Sequence, residues 1–86
     1  MRWAVDLTDP AERQIAKLPA SVRRRVFAAL EGLKTVPRTG DIKKLVGTGS
    51  EYRLRVGNYR VFYTLERDAQ VVVVTAVRHR SSAYER

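Results

Sequence analysis

The sequence predicts an α+β domain in which a helical hairpin packs on a small, mainly antiparallel sheet. Three observations predict it: a short alternating run near the start, two segments with helical apolar spacing that meet at a proline, and three strand-like runs after them. The predicted element order is therefore β-α-α-β-β-β. A chain of 86 residues has room for one hydrophobic core, so residues 1–86 are expected to form a single domain.

The opening residues predict a strand and then a helix. Arg2 to Leu7 alternates, and its apolar residues share one face: Trp3, Val5 and Leu7. A helix follows, because Asp9 can cap it, Pro10 suits its first position and Glu12 can reach back to the cap. We expect this helix to run to about Leu18. Its core-facing residues are Ile15 and Leu18.

A second helix is predicted after the break at residues 19–21. Ser21 can cap it, and it should run from Val22 to about Val36, since the residue before Pro37 avoids helical geometry. Its apolar residues recur at helical spacing and form a stripe: Val22, Val26, Leu30 and Leu33.

The rest of the chain predicts a loop and three strands. Residues 38–51 contain several Gly, Thr and Ser, so we expect a loop there, with Lys43 and Lys44 inside it. The strand-like runs are Tyr52–Val56, Tyr59–Glu66 and Gln70–Arg78. Gly57-Asn58 is a two-residue link typical of a tight hairpin. The run Val71–Val74 does not alternate, which favours a strand inside the sheet and covered on both faces.

The hairpin should have one apolar face and one charged face. Its short link fixes the register, and the apolar face is then formed by Tyr52, Leu54, Val56, Tyr59, Val61 and Tyr63. On the other face Arg55 lies opposite Arg60, and Arg53 lies opposite Phe62. Like charges in such pairs repel. The two arginines therefore either bind an anion such as phosphate, or splay apart into water.

The net charge narrows the classes of partner. Seventeen Lys and Arg against nine Asp and Glu give +8, which attracts nucleic acid, an acidic protein or an anionic membrane surface. The longest apolar run is far too short to span a membrane, and no signal peptide is apparent, so we expect a cytoplasmic protein. The sequence has no Cys, no metal-ligand spacing and no Gly-rich phosphate loop, so no metal or other cofactor is expected.

Residues 78–86 combine cations with an aromatic side chain. Arg78, His79 and Arg80 are followed by Tyr84. Proteins bind single-stranded RNA through this combination of base stacking and phosphate contacts, although a solvated basic tail anchored by Tyr84 is the alternative. His79 is the single histidine of the sequence, and an imidazole can move a proton near neutral pH.

These residues resemble the RelE/ParE superfamily of toxins along nearly the whole chain. The resemblance is most specific in Lys44-Leu45, in the pattern Tyr-Arg-x-Arg-x-Gly-x-Tyr-Arg-x-x-Tyr over residues 52–63, and in His79-Arg80 followed by Tyr84. It implies a RelE-like fold and a toxin that a cognate antitoxin protein holds inactive. RelE-like members cleave mRNA in the ribosomal A site, so the resemblance further implies mRNA and the 30S ribosomal subunit as partners. It implies no membrane partner.

The resemblance also implies an active site. Its two first-strand cations fall on Arg53 and Arg55, where the cleaving toxins commonly have Lys. Its second-strand arginine falls on Arg60 and its C-terminal tyrosine on Tyr84. Its C-terminal arginine falls on Arg78, counted back from that tyrosine, with Arg80 as the alternative. The remaining candidates would contact RNA: Lys43, Lys44, His79 and Arg80.

This set suits cleavage by the 2′-OH of the RNA itself. Arg60 and Arg78 could stabilise charge on the phosphate, whereas proton transfer would fall to Tyr84 or His79, because arginine stays protonated. A ParE-like gyrase inhibitor, which uses the same fold to bind a protein, and an attenuated RelE homologue are the alternatives. The joint presence of Arg60, Arg78 and Tyr84 favours the nuclease.

Overall fold

The predicted class, a helical hairpin on a mainly antiparallel sheet, is confirmed, with one strand more than predicted. The computed structural model describes residues 2–35, 42–44 and 51–81, and for residues 42–44 it describes the backbone. The elements in chain order are β1 Ala4–Leu7, α1 Asp9–Ala16, α2 Ala20–Leu33, β2 Ile42–Lys44, β3 Glu51–Val56, β4 Tyr59–Glu66 and β5 Val71–His79.

The strands of the described residues form one sheet in the order β1-β5-β4-β3-β2. β1 runs parallel to β5, and each of the other neighbouring pairs is antiparallel. β5 therefore lies inside the sheet, as its valine run predicts. Every predicted pair of the hairpin is confirmed, including Tyr52 opposite Tyr63 and Arg55 opposite Arg60.

β2 lies in the segment predicted as a loop, so that prediction is wrong for residues 42–44. This short strand pairs antiparallel with β3, which places Lys43 opposite Arg53. Residues 42–44 are too few, and only Ile42 among them is apolar, for an alternating pattern to predict this strand. The strand forms because β3 offers it a row of backbone N–H and C=O groups that need partners. Residues 38–41 and 45–50 of the predicted loop lie outside the described residues, and Glu51 is the first residue of β3.

The start of α1 differs from the predicted one. Thr8, and not Asp9, is the cap: its hydroxyl oxygen accepts a hydrogen bond from the Ala11 N–H at 3.3 Å. Asp9 and Glu12 lie in the first turn instead, where a negative charge is stabilised by the helix dipole. The helix ends at Ala16, two residues before its predicted end.

The second helix also departs from its predicted bounds. α2 begins at Ala20 without a side-chain cap, so Ser21 does not have the predicted capping role, and it ends at Leu33 rather than near Val36. Arg23 donates to the carbonyl oxygens of Ala16 at 3.3 Å and Leu18 at 3.2 Å, and it thereby satisfies the end of α1. No helix of the described residues is long and apolar enough to cross a membrane.

One face of the sheet shares its hydrophobic core with both helices. Alternate residues of β3, β4 and β5 pack there against the apolar sides of α1 and α2. The buried residues of this core are Ala11, Ile15, Val26, Leu30, Leu33, Tyr52, Leu54, Val56, Val61, Tyr63, Leu65, Val72, Val74 and Val77. The predicted stripe of α2 and the predicted apolar face of the hairpin are thus confirmed, although Val22 and Tyr59 are only half-buried.

The valine run of β5 is well covered on one face alone. Val72 and Val74 are fully buried, whereas Val71 and Val73 are half-buried. The prediction that both faces are covered is wrong, because both helices contribute to the core on the same face of the sheet. Gln70 belongs to the preceding turn, where its φ is 56°.

Candidate functional site

Three arginines lie side by side across the three inner strands of the sheet. Arg55 on β3 lies opposite Arg60 on β4, and Arg60 lies opposite Arg78 on β5. Facing residues on neighbouring strands have Cβ atoms about 4.5–5.5 Å apart. Because Leu54 and Val56 alternate into the core, these arginines lie on the opposite side of the sheet. We call the three residues the arginine row and their side of the sheet the arginine face.

A one-residue bulge in β5 brings Arg78 into this row. The register with β4 slips between Phe62 and Tyr63, which leaves Thr75 as an extra residue. In a regular strand Val74 and Arg78 would share a face, and the arginine would then point into the core. The extra residue reverses the alternation after it, so Arg78 lies on the arginine face.

A second row lies next to the arginine row, further from the hairpin turn. In it Arg53 on β3 lies between Lys43 on β2 and Phe62 on β4. Phe62 is only 4% exposed, although it stands outside the core that the helices share. Arg53 is half-buried and Arg55 is exposed. The arginine face is therefore a basic surface with a buried aromatic ring among its cations.

The hairpin turn holds the guanidinium of Arg60. Its Nη1 donates to the carbonyl oxygens of Gly57 at 3.2 Å and Tyr59 at 3.0 Å. Gly57 has a φ of +58°, as the first central residue of a type II′ turn requires. Arg25 of α2 approaches the same turn: its guanidinium carbon lies 3.2 Å from the point where a Cβ on Gly57 would stand.

His79 lies apart from the arginine row. It follows Arg78 in β5, so strand alternation directs it to the other side of the sheet. Its ring meets that of Tyr59 edge-on, with centroids 5.2 Å apart and planes at 90°. Its Nδ1 accepts from the Ser81 N–H at 3.2 Å, so in this arrangement the neutral ring carries its proton on Nε2.

Of the remaining predicted site residues, the structure describes Arg80 and the backbone of Lys44. Arg80 lies beyond β5, and its backbone N–H donates to the Asn58 carbonyl at 2.7 Å. Arg78 is the residue that pairs with Arg60, so Arg78 and not Arg80 is in the row. Lys44 lies opposite Tyr52 in the backbone register. Tyr84 lies outside the described residues. The described residues contain no group of three or more His, Cys, Asp or Glu that could hold a metal ion.

Sequence reasoning missed three residues that shape this site. The Thr8 hydroxyl donates to the Thr75 carbonyl at 3.3 Å, and the Gln14 Oε1 accepts from the Val77 N–H at 2.6 Å. The Thr75 hydroxyl itself donates to the Phe62 carbonyl at 3.3 Å. A threonine directly after four valines was the available signal, since a polar side chain there indicates an irregularity in the strand.

An apolar groove lies between β1 and α2. It has a volume of about 390 Å³ and is lined by Val5, Leu7, Phe27, Leu30, Glu31 and Lys34. Phe27 is 45% exposed, which sets it apart from the other large apolar side chains of the described residues. An exposed aromatic ring in an apolar groove is typical of a surface that binds another protein.

Comparisons with known proteins identify the family. The family model described as the ParE toxin of type II toxin–antitoxin system, parDE, matches residues 5–84. Toxin RelE3 of Methanocaldococcus jannaschii is 30% identical over 85% of this chain and 85% of its own. The archaeal RelE–RelB complex from Pyrococcus horikoshii OT3 includes a chain with a TM-score of 0.82 and 28% identity, which covers 96% of this chain and 100% of that one.

The fold extends to more distant toxins. The YoeB/ParE toxin from Agrobacterium tumefaciens has a TM-score of 0.78 at 16% identity, over 88% of this chain and 96% of that one. At that identity the likeness concerns the fold alone. The family model and the RelE relative, by contrast, match most of the sequence itself. The chain belongs to the RelE/ParE superfamily, and it is a RelE-like toxin of a toxin–antitoxin system.

Proposed function

We propose that this toxin is a ribosome-dependent endoribonuclease of the cytoplasm, which cuts mRNA in the ribosomal A site. The observation that carries the proposal is the arginine row of Arg55, Arg60 and Arg78. Three guanidinium groups on adjacent strands suit a phosphate group, because each presents paired N–H donors in a plane. The same arrangement explains why a sheet would tolerate like charges in facing positions.

The RNA would supply its own nucleophile. The 2′-oxygen attacks the adjacent phosphorus, the bond to the 5′-oxygen of the next nucleotide breaks, and a 2′,3′-cyclic phosphate and a 5′-hydroxyl result. Negative charge grows on the phosphate oxygens during the attack, and Arg60 and Arg78 are adjacent cations that can stabilise it. The bonds from Arg60 to the turn carbonyls orient its guanidinium before the substrate binds.

A proton must also leave the 2′-hydroxyl and another must reach the 5′-oxygen. The arginines cannot accept the proton from the 2′-hydroxyl, because a guanidinium stays protonated. His79 is poorly placed, since strand alternation directs it away from the row and Ser81 occupies its Nδ1. We therefore assign to Tyr84 the proton that reaches the 5′-oxygen, while solvent water takes the proton from the 2′-hydroxyl. With arginine in place of lysine at Arg53 and Arg55, we expect slower cleavage than in toxins with the lysines.

Residues beside the row would extend the path of the RNA. Arg53 lies next to the arginine row, and Lys43 pairs with Arg53 in the backbone register. Arg80 follows shortly after Arg78, beyond the end of β5. A run of cations attracts the phosphate backbone independently of sequence. We assign contacts with mRNA and the 30S subunit to these three residues. Lys44, whose register partner is the core residue Tyr52, and His79, which alternates away from the row, are not assigned to this path.

The antitoxin would occupy the groove between β1 and α2. The archaeal relative was crystallised as a RelE–RelB complex, so a protein partner of this kind is expected here. The groove offers an apolar floor that includes Phe27 and Leu30, beside the exposed Lys34–Glu31 ion pair. An amphipathic segment with acidic residues matches this groove and the +8 charge of the chain.

The direct test is purified toxin with translating ribosomes and a reporter mRNA. We expect codon-spaced cuts in the A site, carrying 2′,3′-cyclic phosphate ends, and cleavage that is at least about 100-fold slower with the Arg78→Ala variant. The matched control is Arg24→Ala, which removes an exposed arginine from α2 and should leave the cuts unchanged.

Inhibition of gyrase is the second candidate function, because the family model that matches residues 5–84 is described as the ParE toxin. A supercoiling assay with purified gyrase separates the two functions. Blocked supercoiling together with intact mRNA on the ribosome would refute the nuclease proposal and favour the ParE-like function. Absence of both effects would favour an attenuated homologue.

A further inference from the structure

We propose that Gln14 and Thr8 are positioning residues, which hold the bulge at Thr75 and thereby aim Arg78 at the substrate. The inference deepens the proposed nuclease function and rests on it, since the direction of Arg78 matters to catalysis only if the arginine row acts on a phosphate. Gln14 in α1 and Thr8 at its N-cap lie on the side of the sheet opposite the arginine face.

The argument begins with the length of β1. This strand ends at Leu7, which pairs with Val74, whereas β5 continues to His79. Beyond Val74, the edge of β5 that faced β1 therefore has no strand partner among the described residues. Backbone amides and carbonyls that are partly withdrawn from water need other partners, because leaving them unpaired is costly.

Thr8 and Gln14 provide those partners. The Thr8 N–H donates to the Val74 carbonyl at 3.0 Å, which extends the β1 ladder, and the Thr8 hydroxyl donates to the Thr75 carbonyl at 3.3 Å. The Gln14 Oε1 accepts from the Val77 N–H at 2.6 Å. Side chains of α1 and its cap thus take over where β1 stops.

These bonds select the bulged register over the regular one. The carbonyls that accept from the β1 side belong to Gln70, directly before β5, and to Val74 within it, which are even-numbered positions. After the bulge, the outward groups belong to odd-numbered positions, namely Thr75 and Val77. In a regular strand the Val77 N–H would point toward β4 and away from Gln14. The bond to Gln14 therefore exists only while the bulge exists.

Loss of the Gln14 bond should loosen the end of β5. The regular register would direct Arg78 toward the apolar core, which is unfavourable for a charged side chain, so a complete switch is not expected. Instead the end of β5 would sample both alignments, and Arg78 would leave its position opposite Arg60 for part of the time. A catalytic cation displaced by about 1 Å can cost on the order of 100-fold in rate.

The test compares two substitutions of one residue. Gln14→Met keeps the unbranched length and removes the acceptor oxygen, whereas Gln14→Glu keeps an acceptor oxygen at the same place. We expect single-turnover cleavage on the ribosome to fall at least about tenfold for Gln14→Met, and to stay within about threefold of the parent for Gln14→Glu. Ribosome affinity should stay nearly unchanged in both, because neither variant removes a cation.

A double variant shows whether Gln14 acts through Arg78. Gln14→Met should not lower the residual single-turnover cleavage rate of Arg78→Ala any further, because the group that Gln14 positions is gone. An equal loss of cleavage in both backgrounds would mean that Gln14→Met acts by general destabilisation, and it would overturn the proposal.

NMR provides a readout that does not depend on activity. The Val77 N–H points away from β4, so Val61 and Val77 form a non-hydrogen-bonded pair with closely spaced Hα atoms. We expect a strong Hα–Hα NOE between them and slow exchange of the Val77 amide in the parent, and weakening of both in Gln14→Met. Unchanged NOE and exchange in that variant would refute a role for Gln14 in the bulge.

The two proposals can fail separately. If Arg78→Ala cleaves like the parent, the catalytic part of the proposed function and of this inference is wrong, while the NMR measurement still decides whether Gln14 holds the bulge. If Arg78→Ala is at least about 100-fold slower than the parent and Gln14→Met is fully active, the nuclease assignment stands and the positioning role is refuted.

Discussion

Arg60 donates a hydrogen bond to the carbonyl oxygen of Gly57, three residues earlier in the same hairpin, at 3.2 Å. A second bond, to the Tyr59 carbonyl at 3.0 Å, comes from the same nitrogen. The arginine that the family resemblance places in the active site is thus oriented by the backbone of a tight turn, and the turn depends on glycine. Residues of the turn should therefore affect both stability and cleavage.

Arg60→Ala should abolish cleavage and leave the protein folded. The variant loses two exposed or partly buried hydrogen bonds and also relieves the repulsion from Arg55, so we expect the free energy of unfolding to change by less than about 1 kcal/mol. Urea unfolding and the ribosome cleavage assay measure the two effects on one preparation. Undiminished cleavage by Arg60→Ala would contradict the assignment of this residue.

Gly57→Ala should destabilise the protein by about 1–2 kcal/mol, because an L-residue at a φ of +58° is strained. The new methyl group would also meet the Arg25 guanidinium, but that is the flexible end of a side chain and can move. We therefore expect the same loss, within about 0.5 kcal/mol, when Arg25→Ala is already present. Recovery of most of the stability in that background would show that the close contact dominates.

Gly32→Ala is the matched control for the turn glycine. Gly32 lies in α2, and apart from its own stretch of helix no atom of the described residues lies within 4 Å of the point where its Cβ would stand. Alanine favours a helix interior over glycine by roughly 0.5–1 kcal/mol, so this substitution should raise the free energy of unfolding. Opposite signs at the two glycines would separate backbone strain from a general effect of an added methyl group.

Binding to ribosomes should weaken steeply as salt rises, because phosphate contacts release counterions from the RNA. Neutralising Arg55 with Arg55→Gln should make the slope of log K against log salt shallower by about one unit. Arg2→Gln, at an exposed arginine before β1, is the charge-matched control and should leave the slope unchanged. Equal slopes for Arg55→Gln and the parent would exclude a phosphate contact at this position.

Tyr84→Phe tests the proton donor. This substitution keeps the ring and removes the hydroxyl, so packing and base stacking should persist while proton transfer is lost. General acid–base steps contribute roughly 10²–10⁴ to a rate, so we expect single-turnover cleavage to fall by at least about tenfold. Ribosome affinity should be nearly unchanged. Cleavage at the parent rate by Tyr84→Phe, with none by Tyr84→Ala, would instead identify Tyr84 as a stacking platform.

Phe27→Asp should weaken the antitoxin complex without changing the cleavage rate. The ring is 45% exposed and lines the apolar groove, so its loss should cost little stability, while a carboxylate there would repel an acidic partner. Co-expression with the cognate antitoxin measures rescue from growth arrest. Full rescue of Phe27→Asp at parent levels of antitoxin would place the antitoxin elsewhere on the surface.

Much of this fold could be read from local patterns. The tight Gly57-Asn58 link fixed the register of the hairpin, so the pairing of Arg55 with Arg60 was predictable residue by residue. The apolar stripe of α2 and the interior place of β5 followed equally from periodicity and composition. In each of these cases neighbours within a few residues determine the outcome.

The sequence by itself determined the fold class, the hairpin register and the set of candidate cations. Only the tertiary structure decided that Arg78 rather than Arg80 completes the row, because this depends on the bulge at Thr75. The bulge in turn depends on Thr8 and Gln14, which lie more than 60 positions away in the chain, at separations of 67 and 63. The strand of residues 42–44 likewise formed only because β3 offered its edge. Periodicity describes the direction of a side chain within its own element, whereas hydrogen bonds between distant segments decide where that alternation is broken.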